Sequence, residues 1–62
     1  MKRWVVKVSD YANAYWEMLE DGSKRSTDIR HCDKFRFWVF AYLFYIDQIA
    51  YGSKIVKIVV DK

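Results

Sequence analysis

The stretch DKFRFWVFAYLFYIDQIAY, residues Asp33–Tyr51, contains ten consecutive apolar or aromatic residues from Phe37 to Ile46. It holds no glycine or proline, and a span of this length without a turn signal predicts a helix rather than a strand. Asp33 is a suitable N-cap, and Gly52 is a suitable C′ residue. We therefore expect one long helix over Asp33–Tyr51.

This helix is apolar on two sides when its residues are placed at about 100° intervals around the axis. One broad arc is the expected core face and comprises Tyr45, Trp38, Ile49, Tyr42, Phe35, Ile46, Val39, Ala50 and Leu43. The opposite side carries a second apolar stripe, framed by Lys34, Arg36, Asp47 and Gln48, and it consists of Phe37, Phe40, Phe44 and Tyr51. A helix that is apolar nearly all round is buried on more than one side. We expect an identical subunit, a different protein or lipid to cover the second stripe.

Chain length limits what else can stabilise the fold. The 62 residues make one domain, 1–62, and a chain this short buries only about 60% of the surface that its unfolded form exposes. A single cysteine allows no internal disulfide, and no cluster of metal ligands or cofactor motif is visible. We therefore expect no cofactor and no metal, and self-association as a homodimer is the remaining common means of stabilisation.

Charge and terminal sequence indicate a soluble protein. The formal net charge of +3 comes from 11 basic and 8 acidic residues spread along the chain, which only weakly favours polyanion binding. The N-terminus, MKRWVVKVSD, lacks the features of a signal peptide, and one thiol suits a reducing compartment. The ten-residue apolar run is too short for a membrane span, which needs about 20 residues. We expect a cytoplasmic protein with no membrane span.

Strand patterns flank the helix. Arg3–Ser9 alternates apolar and polar residues with the period of a half-buried strand. After the helix, Lys54–Asp61 is β-branched and strongly strand-like, and it is expected to join the sheet beside the first strand.

The region between the first strand and the helix is less clearly defined. Ala14–Asp21 is predicted as a strand after a hairpin loop at residues 10–13, with a helix over residues 10–21 as the alternative. Ser23–Cys32 is the most polar stretch and is predicted as a short edge strand or an ordered loop. The fold class is therefore α+β: a small, mainly antiparallel sheet of three to four strands with one long helix on one face, in the order β-β-(β)-α-β.

Catalytic chemistry finds little support in the sequence. His31 and Cys32 are adjacent, so neither is placed to activate the other. Gly22 and Gly52 are isolated and form no phosphate-binding loop. We expect no enzyme and no small-molecule substrate.

Nucleic-acid binding is an alternative function. The sheet face away from the helix could combine basic side chains with an aromatic side chain that stacks on a base. On that face we expect Arg3, Lys7 and Lys57 with Tyr15 or Trp16, and on the neighbouring loop Lys24, Arg25 and Arg30. The simpler explanation is that they are ordinary solvated charges of an open antiparallel sheet, interrupted by Glu17, Glu20 and Asp21.

Protein binding through the helix is the favoured interpretation. Phe37, Phe40 and Phe44 have the i, i+3, i+7 spacing with which one helix packs into a groove or against its twin. Large aromatic side chains in a desolvated patch are typical binding hot spots. The alternative is that Ser23–Cys32, or a longer sheet, covers this stripe within the monomer.

The layout resembles a group of small phage proteins. A strand RWVVKV, a strand AYWEML followed by Asp21-Gly22, an aromatic helix and a closing strand KIVKIVV are similar to the β-β-α-β plan of small early proteins of bacteriophages. That group includes inhibitors of host RNA polymerase and of other host enzymes. The resemblance implies stoichiometric binding of a host macromolecule in the host cytoplasm, although the net charge of +3 disagrees with the acidic DNA mimicry of many such proteins.

Overall fold

The computed structural model describes residues 1–60 and has the predicted α+β fold. Its elements are β1 (Lys2–Lys7), β2 (Tyr15–Met18), β3 (Lys24–Thr27), α1 (Trp38–Ile49) and β4 (Lys54–Val59). The strands form one antiparallel sheet in the order β3-β2-β1-β4, and α1 packs on β1 and β4. The β-β-β-α-β order confirms the prediction, with the polar third segment present as an edge strand.

Two tight loops connect the first three strands. The loop after β1 closes where the Val8 N–H donates to the Ala14 carbonyl. The loop between β2 and β3 closes where the Leu19 N–H donates to the Ser23 carbonyl, and Gly22 takes a φ of 88° there, which favours glycine. The helical alternative for residues 10–21 is therefore wrong, and the strand prediction is confirmed.

β4 pairs with β1 along its whole length, from Lys54 opposite Lys7 to Val59 opposite Lys2. β-branched residues favour this extended pairing. The strand was predicted to reach Asp61, and that residue lies outside the described residues.

The segment from Asp33 to Phe35 fills a gap between β1 and β2. These two strands pair at one position only, Lys7 opposite Tyr15. Beyond it, Phe35 exchanges two backbone hydrogen bonds of 2.7 and 2.8 Å with Trp4 of β1. The Asp33 N–H donates to the Trp16 carbonyl of β2, which completes the connection.

The helix is consequently shorter than predicted. It begins at Trp38, and its N-cap is Phe37, which offers no side-chain cap. The predicted N-cap, Asp33, instead hydrogen-bonds to β2, while Phe35 bridges to β1, because these tertiary contacts outweigh local helix propensity. The helix ends at Ile49 with Ala50 as C-cap, so the C′ residue is Tyr51, and Gly52, with a φ of 109°, lies one position beyond it rather than at C′ as predicted.

The core lies between the sheet and one narrow line of the helix. Val6, Ala41 and Tyr45 form its buried centre. Partly buried apolar side chains surround this centre, namely Trp4, Trp16, Met18, Phe35, Ile49 and Ile55. The predicted core face was too broad, since five of its nine residues are exposed: Trp38, Val39, Leu43, Ile46 and Ala50. A sheet of four short strands covers only the line Ala41–Tyr45–Ile49, which has i, i+4, i+8 spacing. The helix is kinked at the middle of this line, where Tyr45 has a non-helical φ of −124° and ψ of 23°.

Candidate protein-binding surface

The side of α1 that faces away from the sheet is a continuous apolar surface. We call it the outer face, and it consists of Phe37, Val39, Phe40, Leu43, Phe44 and Ile46. These side chains are between 45% and 60% exposed. Monomeric proteins rarely expose contiguous apolar patches of this extent without a functional reason. The outer face is therefore the main candidate for a functional site.

Aromatic contacts hold part of the outer face in place. The Phe37 and Phe40 rings meet edge to face with their centroids 5.9 Å apart. The Phe44 ring stacks on Phe35 at 5.6 Å, and Phe35 in turn meets the buried Tyr45 ring at 6.0 Å. Such contacts restrict the rings before any partner arrives, which lowers the entropic cost of binding.

The structure brings together three of the four predicted binding residues. Phe37, Phe40 and Phe44 belong to the outer face. Tyr51 is 91% exposed but lies in the turn after the helix, because the helix ends earlier than predicted.

Sequence reasoning missed Val39, Leu43 and Ile46, which it assigned to the core. Two signals could have placed them correctly. Asp47 is the only charged residue of α1 and marks the solvent side one turn beyond Leu43. Ala41 is its smallest residue and marks the closest approach to the sheet.

Charged side chains lie at both ends of the outer face. Before the helix, the guanidinium carbon of Arg36 lies 5.6 Å from the centroid of the Phe37 ring. In the last turn, the Asp47 carboxylate contacts the Lys24 ammonium at 3.2 Å, and the Asp47 side chain remains 55% exposed. Desolvation raises the pKa of Asp47, but the hydrogen bonds from Lys24 and Gln48 lower it below its usual range.

Beneath the helix, Asp33 joins the strand gap to the core. Its Oδ2 accepts a hydrogen bond from the Met18 N–H at 2.8 Å and another from the Tyr45 hydroxyl. Burial and the Asp33 carboxylate raise the pKa of Tyr45, so its hydroxyl stays protonated and donating. These contacts fix the helix on the sheet and so set the direction of the outer face.

Cys32 is a buried thiol with the character of a packing residue. It is 5% exposed, and its Sγ donates to the Ile29 carbonyl at 3.4 Å. Burial raises the pKa of Cys32, which disfavours the thiolate that nucleophilic chemistry needs.

The structure divides the predicted nucleic-acid residues between the two faces of the sheet. Strand alternation and register place Arg3, Lys7, Tyr15 and Arg25 on the open face. Their expected companions Lys24, Lys57 and Trp16 lie on the helix side.

Each of these three companions has contacts within the chain. The Trp16 indole donates to Ser53 Oγ at 2.9 Å, and Lys24 contacts Asp47. The Lys57 ammonium lies 4.9 Å from the centroid of the Trp4 ring. Arg25 and Arg30 also pair, with Glu17 and Asp28. The expectation that Lys57 and Trp16 share a face with Arg3 and Lys7 is therefore wrong.

An open cleft of about 320 Å³ lies beside the outer face, between the helix and the start of β4. The stacked rings of Trp38 and Tyr42, 5.2 Å apart, form one wall, and Ser53 and Ile55 lie opposite. The lining of the cleft is mostly apolar, so the cleft extends the apolar surface of the helix toward the edge of the sheet.

Two further features of residues 1–60 concern metal binding and membrane insertion. No group of three or more His, Cys, Asp or Glu residues in this range could hold a metal ion. Across the same residues, α1 falls short of the length and apolarity that a bilayer-spanning helix requires. Comparisons with protein-family models, curated proteins and solved structures gave no match.

Proposed function

We propose that this chain is a non-enzymatic binding protein and that it contacts another protein chain through the outer face. The observation that carries the proposal is the exposure of six large apolar side chains along one side of a single helix. Burial of apolar surface is the dominant favourable contribution to protein association. A helix that presents aromatic side chains at i, i+3 and i+7 is suited to an apolar groove or to another helix.

Support also comes from how firmly the helix is held. On the side of the helix that faces the sheet, Ala41 and Tyr45 are fully buried. The hydrogen bonds accepted by Asp33 connect this side to β2. The outer face is therefore displayed by a fixed scaffold rather than by a loop. Rigid display of hydrophobic anchors favours tight binding, because little conformational entropy remains to be lost.

We extend the proposal to the mode of action and the compartment. The similarity of layout to small phage proteins favours a stoichiometric inhibitor of a host protein. A chain with one unpaired, buried cysteine is suited to the reducing cytoplasm, which would be the host cytoplasm for a viral protein.

Substitution on the outer face tests the proposed function. Phe40→Asp places a charge where a partner must bury apolar surface, whereas Tyr11→Asp makes the same kind of change at a loop residue that is 98% exposed. Tagged wild-type chain and Tyr11→Asp should each retain a protein in stoichiometric amount from cells that naturally express the chain, or should self-associate. Phe40→Asp should do neither. Equal behaviour of all three proteins would overturn the proposal.

A second function is favoured by one row of the open sheet face. Lys54, Lys7 and Tyr15 are consecutive cross-strand neighbours on β4, β1 and β2. Two cations beside an aromatic ring form a small site for single-stranded nucleic acid, and the contacts of Lys54 and Lys7 with Asp10, at 3.8 and 3.3 Å, would give way to a phosphate there. Binding would fall steeply with added salt and would be weakened by Lys7→Glu. Unchanged electrophoretic mobility of single- and double-stranded probes at low salt would reject this second function.

A further inference from the structure

The charges at the two ends of the outer face are arranged against the dipole of their own helix. Arg36 precedes the positive N-terminal end, and Asp47 lies in the last turn at the negative end. The first turn contains no acidic residue, and the last turn contains no basic one. Both placements are unfavourable toward the helix itself, because anions stabilise helix N-termini and cations stabilise C-termini. The 3.2 Å pair with Lys24 compensates part of the Asp47 charge within the chain.

A second helix lying antiparallel on the outer face would reverse both effects. Its acidic end would approach the N-terminus of the first helix, and its basic end would approach the C-terminus. Resting on the proposed function, we propose that the partner of the outer face is a second copy of this chain, with the two helices antiparallel about a twofold axis.

The residue order supports a symmetric register for this pair. With the axis level with the midpoint between Ala41 and Tyr42, Phe40 lies opposite Leu43 of the second copy. Phe37, in extended backbone before the helix, approaches the part of the second helix that follows its kink at Tyr45. The same arrangement brings Arg36, which precedes the helix, toward the end of the second helix that carries Asp47. A twofold axis repeats every contact, so each apolar pair and each ion pair forms twice. A parallel arrangement would instead bring like charges together at both ends.

The available area agrees with a stable dimer. Large apolar and aromatic side chains that are about half exposed each leave on the order of 100 Å² accessible, which gives roughly 600 Å² for the six side chains of the outer face. Trp38 and Tyr51 at the margins add to this area. The total approaches the ~800 Å² that each partner contributes to a standard interface.

Sedimentation equilibrium of the full chain at low ionic strength tests the proposal. Wild-type chain should reach the dimer mass at high micromolar concentration. Leu43→Asp should raise the dissociation constant by on the order of 100-fold, because it removes an apolar residue from the centre of the interface. Arg36→Glu and Asp47→Lys should each raise it by on the order of tenfold. Because Asp47→Lys also removes the pair with Lys24, the free energy of unfolding of this variant is measured alongside. Arg3→Glu, the same charge change on the open sheet face, should leave it unchanged.

Mixing the two charge variants tests the antiparallel arrangement of the two helices. Each variant alone brings like charges together at both ends, whereas an antiparallel pair of one Arg36→Glu chain with one Asp47→Lys chain restores two attractive pairs. The mixture should therefore dimerise like wild type, as should the double variant.

The possible failures are distinguishable. A wild-type monomer at high micromolar concentration overturns the second-copy proposal, and the proposed function survives if Phe40 is still needed to capture another protein. A dimer that Leu43→Asp leaves intact also overturns it, because the contact then lies elsewhere. A dimer that needs Leu43 but ignores both charge variants overturns the antiparallel register.

Discussion

The inner and outer sides of one twelve-residue helix differ in the solvent exposure of their apolar residues. On the inner side, Ala41 and Tyr45 have no exposed surface, and the Tyr45 hydroxyl is hydrogen-bonded to Asp33. On the outer side, Leu43 and Phe44 are more than half exposed. Apolar character alone therefore does not determine which side of this helix is buried. The close approach of a small residue and the bonding of a polar group select it here.

Truncating one apolar residue on each side of the helix should give the largest difference in the free energy of unfolding. Tyr45→Ala removes a fully buried ring and its hydrogen bond, so we expect a loss of about 3–5 kcal/mol in the free energy of unfolding. Leu43→Ala, two residues earlier, should change it by less than about 1 kcal/mol under conditions where the chain is monomeric. Urea denaturation followed by tryptophan fluorescence measures both. Similar losses for the two variants would contradict the assigned inner side.

Removing the Asp33 carboxylate, which connects the inner side of the helix to β2, should cause the next largest loss of unfolding free energy. Asp33→Ala leaves the Met18 N–H and the buried Tyr45 hydroxyl without their acceptor, and we expect a loss of about 2 kcal/mol in unfolding free energy. Asp10→Ala is the matched control, since its pair with Lys54 is exposed on both sides and 3.8 Å long. A loss of less than about 0.5 kcal/mol is expected there. Equal effects would show that Asp33 does not bridge helix and sheet.

The overall layout was predictable, because it depends on local patterns. The β-branched run of β4, the alternation of β1 and the turn residues at Asp21-Gly22 each specify an element without reference to the others. The start of the helix was not predictable in this way. Asp33 and Phe35 carry helix-compatible residue types, yet their backbone groups bond to β1 and β2 across long sequence distances.

The orientation of the helix was the second limit. Val39, Leu43 and Ile46 are as apolar as the residues that are buried, so the pattern contains almost no periodic contrast to fix which side faces the sheet. The three phenylalanines were identified as a stripe because charges flank them. Their apolar neighbours on the same surface were assigned to the core instead.

Removing only the hydroxyl of Tyr45 should lower the free energy of unfolding by less than removing its whole ring. Tyr45→Phe keeps the buried ring, and we expect a loss of about 1 kcal/mol at neutral pH. The pKa of Tyr45 is raised by folding, so its contribution is fully present below the unfolded value of about 10 and decreases as pH rises above it. Wild-type stability should therefore fall above about pH 10 more steeply than that of Tyr45→Phe. Parallel pH profiles, measured by urea denaturation, would contradict this role.

A polar substitution on the outer side should have the smallest effect on folding. Leu43→Gln retains good helix propensity and removes an apolar side chain that is 60% exposed, so the free energy of unfolding of the monomer should change by no more than about 0.5 kcal/mol. Thermal unfolding at low concentration measures this change. A loss above about 2 kcal/mol would show that Leu43 belongs to the core of the monomer.

Hydroxyl-radical footprinting of the wild-type chain across a concentration series reports directly whether the outer side of the helix is covered. If a second chain covers the outer side of the helix, Phe40, Leu43 and Phe44 should become protected as the concentration rises, while the loop residue Tyr11 stays equally reactive. Constant reactivity of the outer-face residues up to high micromolar concentration would contradict the claim that another copy of the chain buries them.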